Sequence, residues 1–258
     1  AQAAQADQSR KVSADVIAAI KQSQIMTFTA CESIGGANQS CYQIAKELEA
    51  ISANCASTAW CLWNHLCTFH LFCGLLGPTN QDFLEGITRR HEWVCFPAGA
   101  LSGVRGVLEG EIIKITGKAT FGSGARYADW AGVAFVLDNK PRFSLVDLSQ
   151  DEVIIQDDWH AMSLRASATD TIVYEGACIP LNRVVEFPFM YRVPFRDPSR
   201  SMLHQRYRED WVALSDLWLG AMAVGVAQAA LDEVTNGIRD RIAIMGVKIA
   251  ERPTVHVN

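Results

Sequence analysis

Residues 117–137 read GKATFGSGARYADWAGVAFVL. Two apolar, β-rich runs flank a break at Gly122, Ser123 and Gly124, with Tyr127 and Trp130 just beyond it. Valine and aromatic side chains suit a pleated surface, and a glycine inside such a run marks a bulge or a corner. Glycines also let backbone approach a flat ligand closely, and the serine between them supplies a hydroxyl that donates or accepts. The break therefore has two readings, a plain strand–bulge–strand and a ligand-facing platform. Its position in mid-chain, between two helical regions, organises the rest.

Around this stretch, from Trp93 to about Pro188, short runs rich in Val, Ile and aromatics recur at 104–108, 110–116, 130–137, 142–147, 152–156 and 171–179. Gly, Asp, Asn or Pro separates them, which reads as five or six strands of an antiparallel barrel or sandwich. No Gly-x-Gly-x-x-Gly follows a strand, so a Rossmann unit is not indicated. Upstream the texture is helical. Ser13 precedes Val16, Ile17 and Ile20 as a capped amphipathic start. Ile44, Leu48 and Ile51 fall on one helical face. A helix from about Ser57 to Leu76 is apolar nearly all round and ends at Gly77-Pro78. A short helix covers about Asn80–Arg90. Downstream of a polar connector, Arg192–Arg200, a helix is expected from about Met202 to Ile249. Its segment Trp211–Leu231 is nearly apolar, but Asp216, Gln228 and many small residues favour a buried bundle helix over a membrane span. The expected class is α+β: helical residues 1–92, a β domain at 93–190, and the start of a helical bundle at 201–258.

The chain has 258 residues, 49% of them hydrophobic and 20% charged, with a net charge of −5. That balance describes an ordered protein and gives no electrostatic case for nucleic acid or an anionic membrane. The start, at Ala1, shows no signal-peptide pattern. Cys55, Cys61, Cys67 and Cys73 recur every six residues, which fits neither a zinc motif nor a helix face. Cys67, His70 and Cys73 could share a face, but a fourth ligand is lacking, so no metal is expected and the thiols read as small buried hydrophobes. Reduced thiols point to a cytoplasmic location.

Helices, then a β domain, then a helix: this order resembles the acyl-CoA dehydrogenase superfamily over essentially the whole chain. Three local matches resemble its flavin-dependent monooxygenase branch, the oxygenase components of two-component hydroxylases. Ala56-Ser57-Thr58-Ala59-Trp60 with Asn64-His65 looks like the branch's third helix and its histidine. Phe121-Gly122-Ser123-Gly124-Ala125 with Asp129-Trp130 looks like its flavin-facing segment. Trp159 through Ser167 with Thr171-Ile172 looks like a strand pair of the branch. Cys95-Phe96-Pro97-Ala98-Gly99-Ala100 departs from the Thr-Glu-Pro segment of the dehydrogenases, which argues against a CoA-thioester substrate. Family members also continue for two or three more helices, so the chain resembles a family fold lacking its last helices.

The resemblance implies reduced FMN or FAD, O2 and a separate flavin reductase. It implies catalytic roles for His65, as acid–base or (hydro)peroxide-stabilising group, and for Ser123, near flavin N5. It implies cofactor contacts from Phe96, Pro97, Ala98, Phe121, Ser123, Arg165, Ser167 and Thr169, and substrate contacts from Trp63, Asn64 and Trp93. The substrate would be an aromatic or apolar small molecule. The family's usual oligomers imply a homodimer or tetramer, or a completing subunit, with Ala213, Leu217, Leu219, Ala221 and Val224 facing it. An acyl-CoA dehydrogenase-like oxidoreductase and a partner-dependent non-catalytic subunit are the alternatives.

Overall fold

The computed structural model describes residues 2–97, 103–186, 199, 201–239, 241, 242 and 248. The organising element is a single helix, α4 (Ala56–Leu76), which is mostly apolar and buried on nearly every side. Such a helix is stable only when surrounded. Its first half, with Ala59, Leu62 and Leu66, packs among the other helices. Its second half, with Phe69, Phe72, Leu75 and Leu76, packs into the β region. One helix thus holds two apolar clusters together.

The helical cluster is built from α1 (Gln2–Ser9), α2 (Ala14–Gln22), α3 (Cys41–Asn54) and α6 (Trp211–Arg239), with α5 (Gln81–Arg89) following α4. Ser13 caps α2 by accepting from the Val16 N–H, and Ser40 caps α3 by accepting from Gln43. Ile44 and Leu48 are buried and Ile51 is partly buried, so α3 presents the expected face. The helix α1 was not anticipated; its eight residues carry no apolar stripe and it buries only Ala6. The last helix begins at Trp211, nine residues later than expected. Residues 201–210 instead form a loop and a short 3-10 turn, Gln205–Arg208, anchored by the Tyr207 hydroxyl.

The strands are β1 (Val94–Cys95), β2 (Val104–Glu109), β3 (Ile112–Gly122), β4 (Trp130–Leu137), β5 (Lys140–Asp147), β6 (Val153–Gln156), β7 (Asp170–Pro180) and β8 (Val185–Glu186). They form one sheet in the order β6-β7-β3-β2-β4-β5-β8, with β1 also on β4. The sheet is mainly antiparallel, as expected, with two parallel pairings in it. Both β1 and β2 pair with β4 in parallel, while β5 runs antiparallel along its other edge. Between β2 and β4 the chain runs back along β3, so β2 and β4 point the same way. Between Ala119 and Gly122 the β3–β7 register slips, so the Gly-Ser-Gly break is an irregularity at a strand end. Phe121 there has φ +63°, a left-handed conformation uncommon for a bulky side chain.

Candidate active site

Ser123 sits where three elements meet: the end of β3, the helix α4, and the loop 157–169 leading into β7. The Gly124 N–H donates to the Ser167 carbonyl at 2.8 Å and the Ala125 N–H to Ala168 at 3.2 Å, which ties the break to that loop. Two more left-handed residues, Leu164 at +52° and Ala168 at +46°, lie in the loop. With Phe121 they make three such conformations around one spot, the kind of backbone strain that collects at binding sites.

Between these elements lies a cavity of about 390 Å³. Its walls are Trp60, Trp63, Asn64, Cys67 and Thr68 from α4, Phe96 after β1, Phe121 and Ser123, Trp159, Leu164 and Thr169 from the loop, and Trp211 and Ser215 from α6. Four of the seven tryptophans of the chain line it. Several are held by their indole N–H groups: Trp63 donates to Ser215 O at 3.2 Å, Trp211 to Cys67 O at 2.8 Å, and Trp159 to Leu164 O at 3.0 Å. Trp60 donates to Ser123 Oγ at 2.8 Å, and Ser123 Oγ lies 3.1 Å from Thr169 Oγ1. The loop itself is clamped from behind. Arg126 grips the buried Asp170 carboxylate with two nitrogens, at 2.6 and 2.8 Å, and Asp170 accepts from the Trp159 N–H. A paired, hydrogen-bonded buried carboxylate of this kind fixes geometry.

Several of the residues anticipated from sequence meet here: Trp63, Asn64, Phe96, Phe121, Ser123 and Thr169 all line the cavity. Asn64 spends its amide on the backbone, accepting from the Phe96 N–H at 2.8 Å, and so aims Phe96. Pro97 lies just outside, bridged to Gly122. Ser167 is fully buried behind Thr169, at 2.7 Å. Ala98 lies outside the described residues.

Four expectations are redirected. His65 does not reach the cavity. It is fully buried, its Nε2 bonds Met26 O at 3.0 Å, and its Nδ1 accepts from the Val94 N–H at 2.9 Å. Burial depresses its pKa to about 4, against the weaker pull of the two backbone bonds, so it stays neutral and joins α4 to β1. Trp93 is likewise core, tilted against His65 and Tyr127. Arg165 points away and donates to Asp7 O at 3.0 Å, because α1 offers it a carbonyl. The Asp129-Trp130 pair is structural as well: Asp129 accepts from the Trp93 N–H and from Lys21. Conversely, sequence reading did not single out Trp60, Trp159, Trp211 or Leu164 as wall residues. The usable signal was the density of tryptophan in a chain with only 9% aromatics.

All eight cysteines are free thiols. Burial pushes Cys61, Cys67, Cys73 and Cys95 well above the usual thiol range, so they remain protonated and poor metal ligands. Among the described residues no group of three His, Cys, Asp or Glu side chains is placed to hold a metal ion. A larger groove of about 1010 Å³ runs between α1–α2 and α3–α4, with mostly aliphatic walls such as Val16, Ile20 and Ile51. It shares no wall residue with the tryptophan-lined cavity.

No family model matches the chain. Solved structures do. XiaF from Streptomyces sp., in complex with FADH2 and glycerol, superposes with a TM-score of 0.84 at 20% identity, covering 98% of this chain and 64% of that one. TdsC from Paenibacillus sp. A11-2, in complex with FMN and indole, gives 0.85 at 18% identity, covering 98% and 66%. This chain has the fold of the flavin-dependent monooxygenases. Among curated proteins, the oxygenase component of the FADH2-dependent resorcinol hydroxylase of Rhizobium sp. is 24% identical in an alignment of 287 positions that covers 99% of this chain. The monooxygenase oxygenase subunit HsaA of Rhodococcus jostii is 27% identical over 148 residues. The chain spans 64% of the resorcinol hydroxylase component's length.

Proposed function

We propose that the protein is the oxygenase component of a two-component flavin-dependent monooxygenase, taking reduced FMN or FAD from a separate reductase and using O2 to oxidise an aromatic or apolar small molecule. The observation that carries this is the cavity: flat aromatic walls, two hydroxyls converging at Ser123 and Thr169, and no charged side chain in its lining. Its volume falls in the range of ordinary small-molecule sites, roughly 300–1,000 Å³. A planar ring system fits such walls, and Ser123 supplies a hydrogen bond at its edge. The phosphate tail of a flavin would leave the cavity, since the lining contains no Lys or Arg and Arg165 is committed to α1.

The bound flavin would supply oxygen activation; the chain supplies placement and dryness. Trp60, Trp63, Trp159 and Trp211 exclude water, which otherwise diverts activated oxygen to peroxide. Ser123 and Thr169 orient the ring edge, and the Arg126–Asp170 clamp keeps Trp159 in the wall. His65 serves by holding α4 against β1. On this reading residues 1–92, 93–190 and 201–258 act as three domains, with the site where they meet. Free thiols at all eight cysteines support a cytoplasmic setting.

The experiment is an anaerobic titration with reduced FMN and reduced FAD. Saturable binding of at least one is expected; binding of neither overturns the proposal.

A further inference from the structure

Trp159, a wall of the cavity, has all three of its polar groups engaged. Its backbone N–H donates to Asp170 at 3.2 Å and its indole N–H to the Leu164 carbonyl at 3.0 Å. Its own carbonyl accepts from Arg10 Nη1 at 2.7 Å, a residue remote in the chain. The same nitrogen lies 3.0 Å from His160 Nδ1, and Arg10 Nη2 meets the exposed Asp157 carboxylate at 3.2 Å. The exposed ion pair adds little by itself, whereas a charged donor on a carbonyl is among the stronger hydrogen bonds.

The backbone at Arg10 does not favour an arginine. The residue follows α1 with φ +55°, a left-handed conformation. The Lys11 N–H donates to Ala6 O at 3.1 Å and the Arg10 N–H to Asp7 O at 3.4 Å, the pattern of a Schellman helix end. Glycine is the usual residue at that position, so what arginine contributes there is its side chain. Two further links join the same segment to the same loop. Arg165 Nε donates to Asp7 O at 3.0 Å. The Val12 N–H donates at 2.9 Å to the Tyr127 hydroxyl, which in turn donates to Ala166 O at 3.2 Å. Within α1 only Ala6 is buried, so polar bonds rather than packing fix its end to the loop.

We infer that Arg10 is a positioning residue for Trp159, and that residues 7–12 form a strap fastening the loop 157–169 over the cavity. No residue of this strap lines the cavity itself. Its effect on the wall is independent of the ligand. Its effect at the site, retaining reduced flavin and keeping water out, rests on the flavin reading.

The variant Arg10→Gly separates the strap from the helix end. Glycine suits the left-handed position, so the melting temperature should hold or rise while the side-chain bonds are lost. Hydrogen exchange read by mass spectrometry on the ligand-free chain should quicken about tenfold in residues 157–169, the worth of one charged hydrogen bond, with α3 and α4 unchanged. Reduced FMN, followed anaerobically, should leave the variant faster by a similar factor. Unchanged exchange in the loop overturns the inference. So does exchange that quickens equally in α3 and α4, which would make Arg10 a support of the whole fold. Equal release of reduced FMN by the two chains would leave the strap without a role at the site and also overturns it. A wild-type chain that binds no reduced FMN overturns the flavin reading instead, and the exchange result still decides the strap.

Discussion

His65 and His70 show how burial decides chemistry at single residues. Both are enclosed on α4, and burial lowers their pKa values, to about 4 for His65 and about 3 for His70. His65 has two backbone partners, whereas neither ring nitrogen of His70 has one among the described residues. The folded state thus binds protons less readily than the unfolded chain, where histidine titrates near 6.5. Stability from these groups is complete above pH 6.5 and falls as pH drops from there toward their folded values. Going from pH 7.5 to pH 5 should cost about 2 kcal/mol for each histidine, from the linkage between the two pKa values. Urea unfolding at the two pH values measures this, and His70→Phe should remove about half of the difference. Equal stability at both would contradict the assignment. The histidine also shows where sequence reading stops. A His on a helix beside Asn64 is legible as a motif, but which side of the helix it occupies depends on Met26 and Val94, which are remote in the chain.

At the scale of elements, the contact of α3 with α6 depends on the absence of a side chain. A Cβ at Gly225 would lie 2.1 Å from the Glu49 carbonyl oxygen and 2.2 Å from Ser52 Oγ. Ser52 itself donates to Met222 O at 2.9 Å, and Trp218 to Cys41 O at 3.2 Å, so the two helices are locked at short range. Backbone cannot yield as a flexible side chain does, and Gly225→Ala should destabilise the fold by about 2–3 kcal/mol. Gly220 has nothing within 4 Å of its would-be Cβ. There the same change removes only backbone freedom and should stabilise by about 0.5–1 kcal/mol. Thermal melting of the two variants decides; equal effects would contradict the close crossing. The elements themselves were largely legible: the strand runs and α3, α4 and α5 carry their periods and stops in the local sequence. The sheet order and the parallel pairing of β1 and β2 with β4 were not, because strand partners remote in sequence leave no mark on the local period. Nor was α1, whose polar sequence lacks the apolar period that marks a helix.

For the whole molecule, the outer face of α6 is the conspicuous feature. This helix is long and apolar enough to cross a membrane by length and composition, yet Leu214, Trp218 and Met222 bury one side of it against α3 and α4. On the other side Leu217, Val224, Leu231 and Val234 are each more than half exposed, with exposed Ala213, Gly220 and Ala227 completing a 4–3 spacing. That spacing makes a continuous seam of the kind that pairs helices. Leu219 and Ala221, also expected to face a partner, lie partly buried at its border. Apolar seams of this length are rarely left in water. Sedimentation of the 28.4 kDa chain should give a dimer or larger assembly at micromolar concentration, and a stable monomer would contradict a covered seam. The central claim, that the tryptophan-lined cavity is a flavin site, is tested most directly by fluorescence. Anaerobic addition of reduced FMN or FAD should quench tryptophan emission saturably, at one site per chain. A Ser123→Tyr variant with unchanged melting should abolish the quenching by filling the cavity. Quenching that neither flavin saturates, or that survives the blocked cavity, would contradict the account.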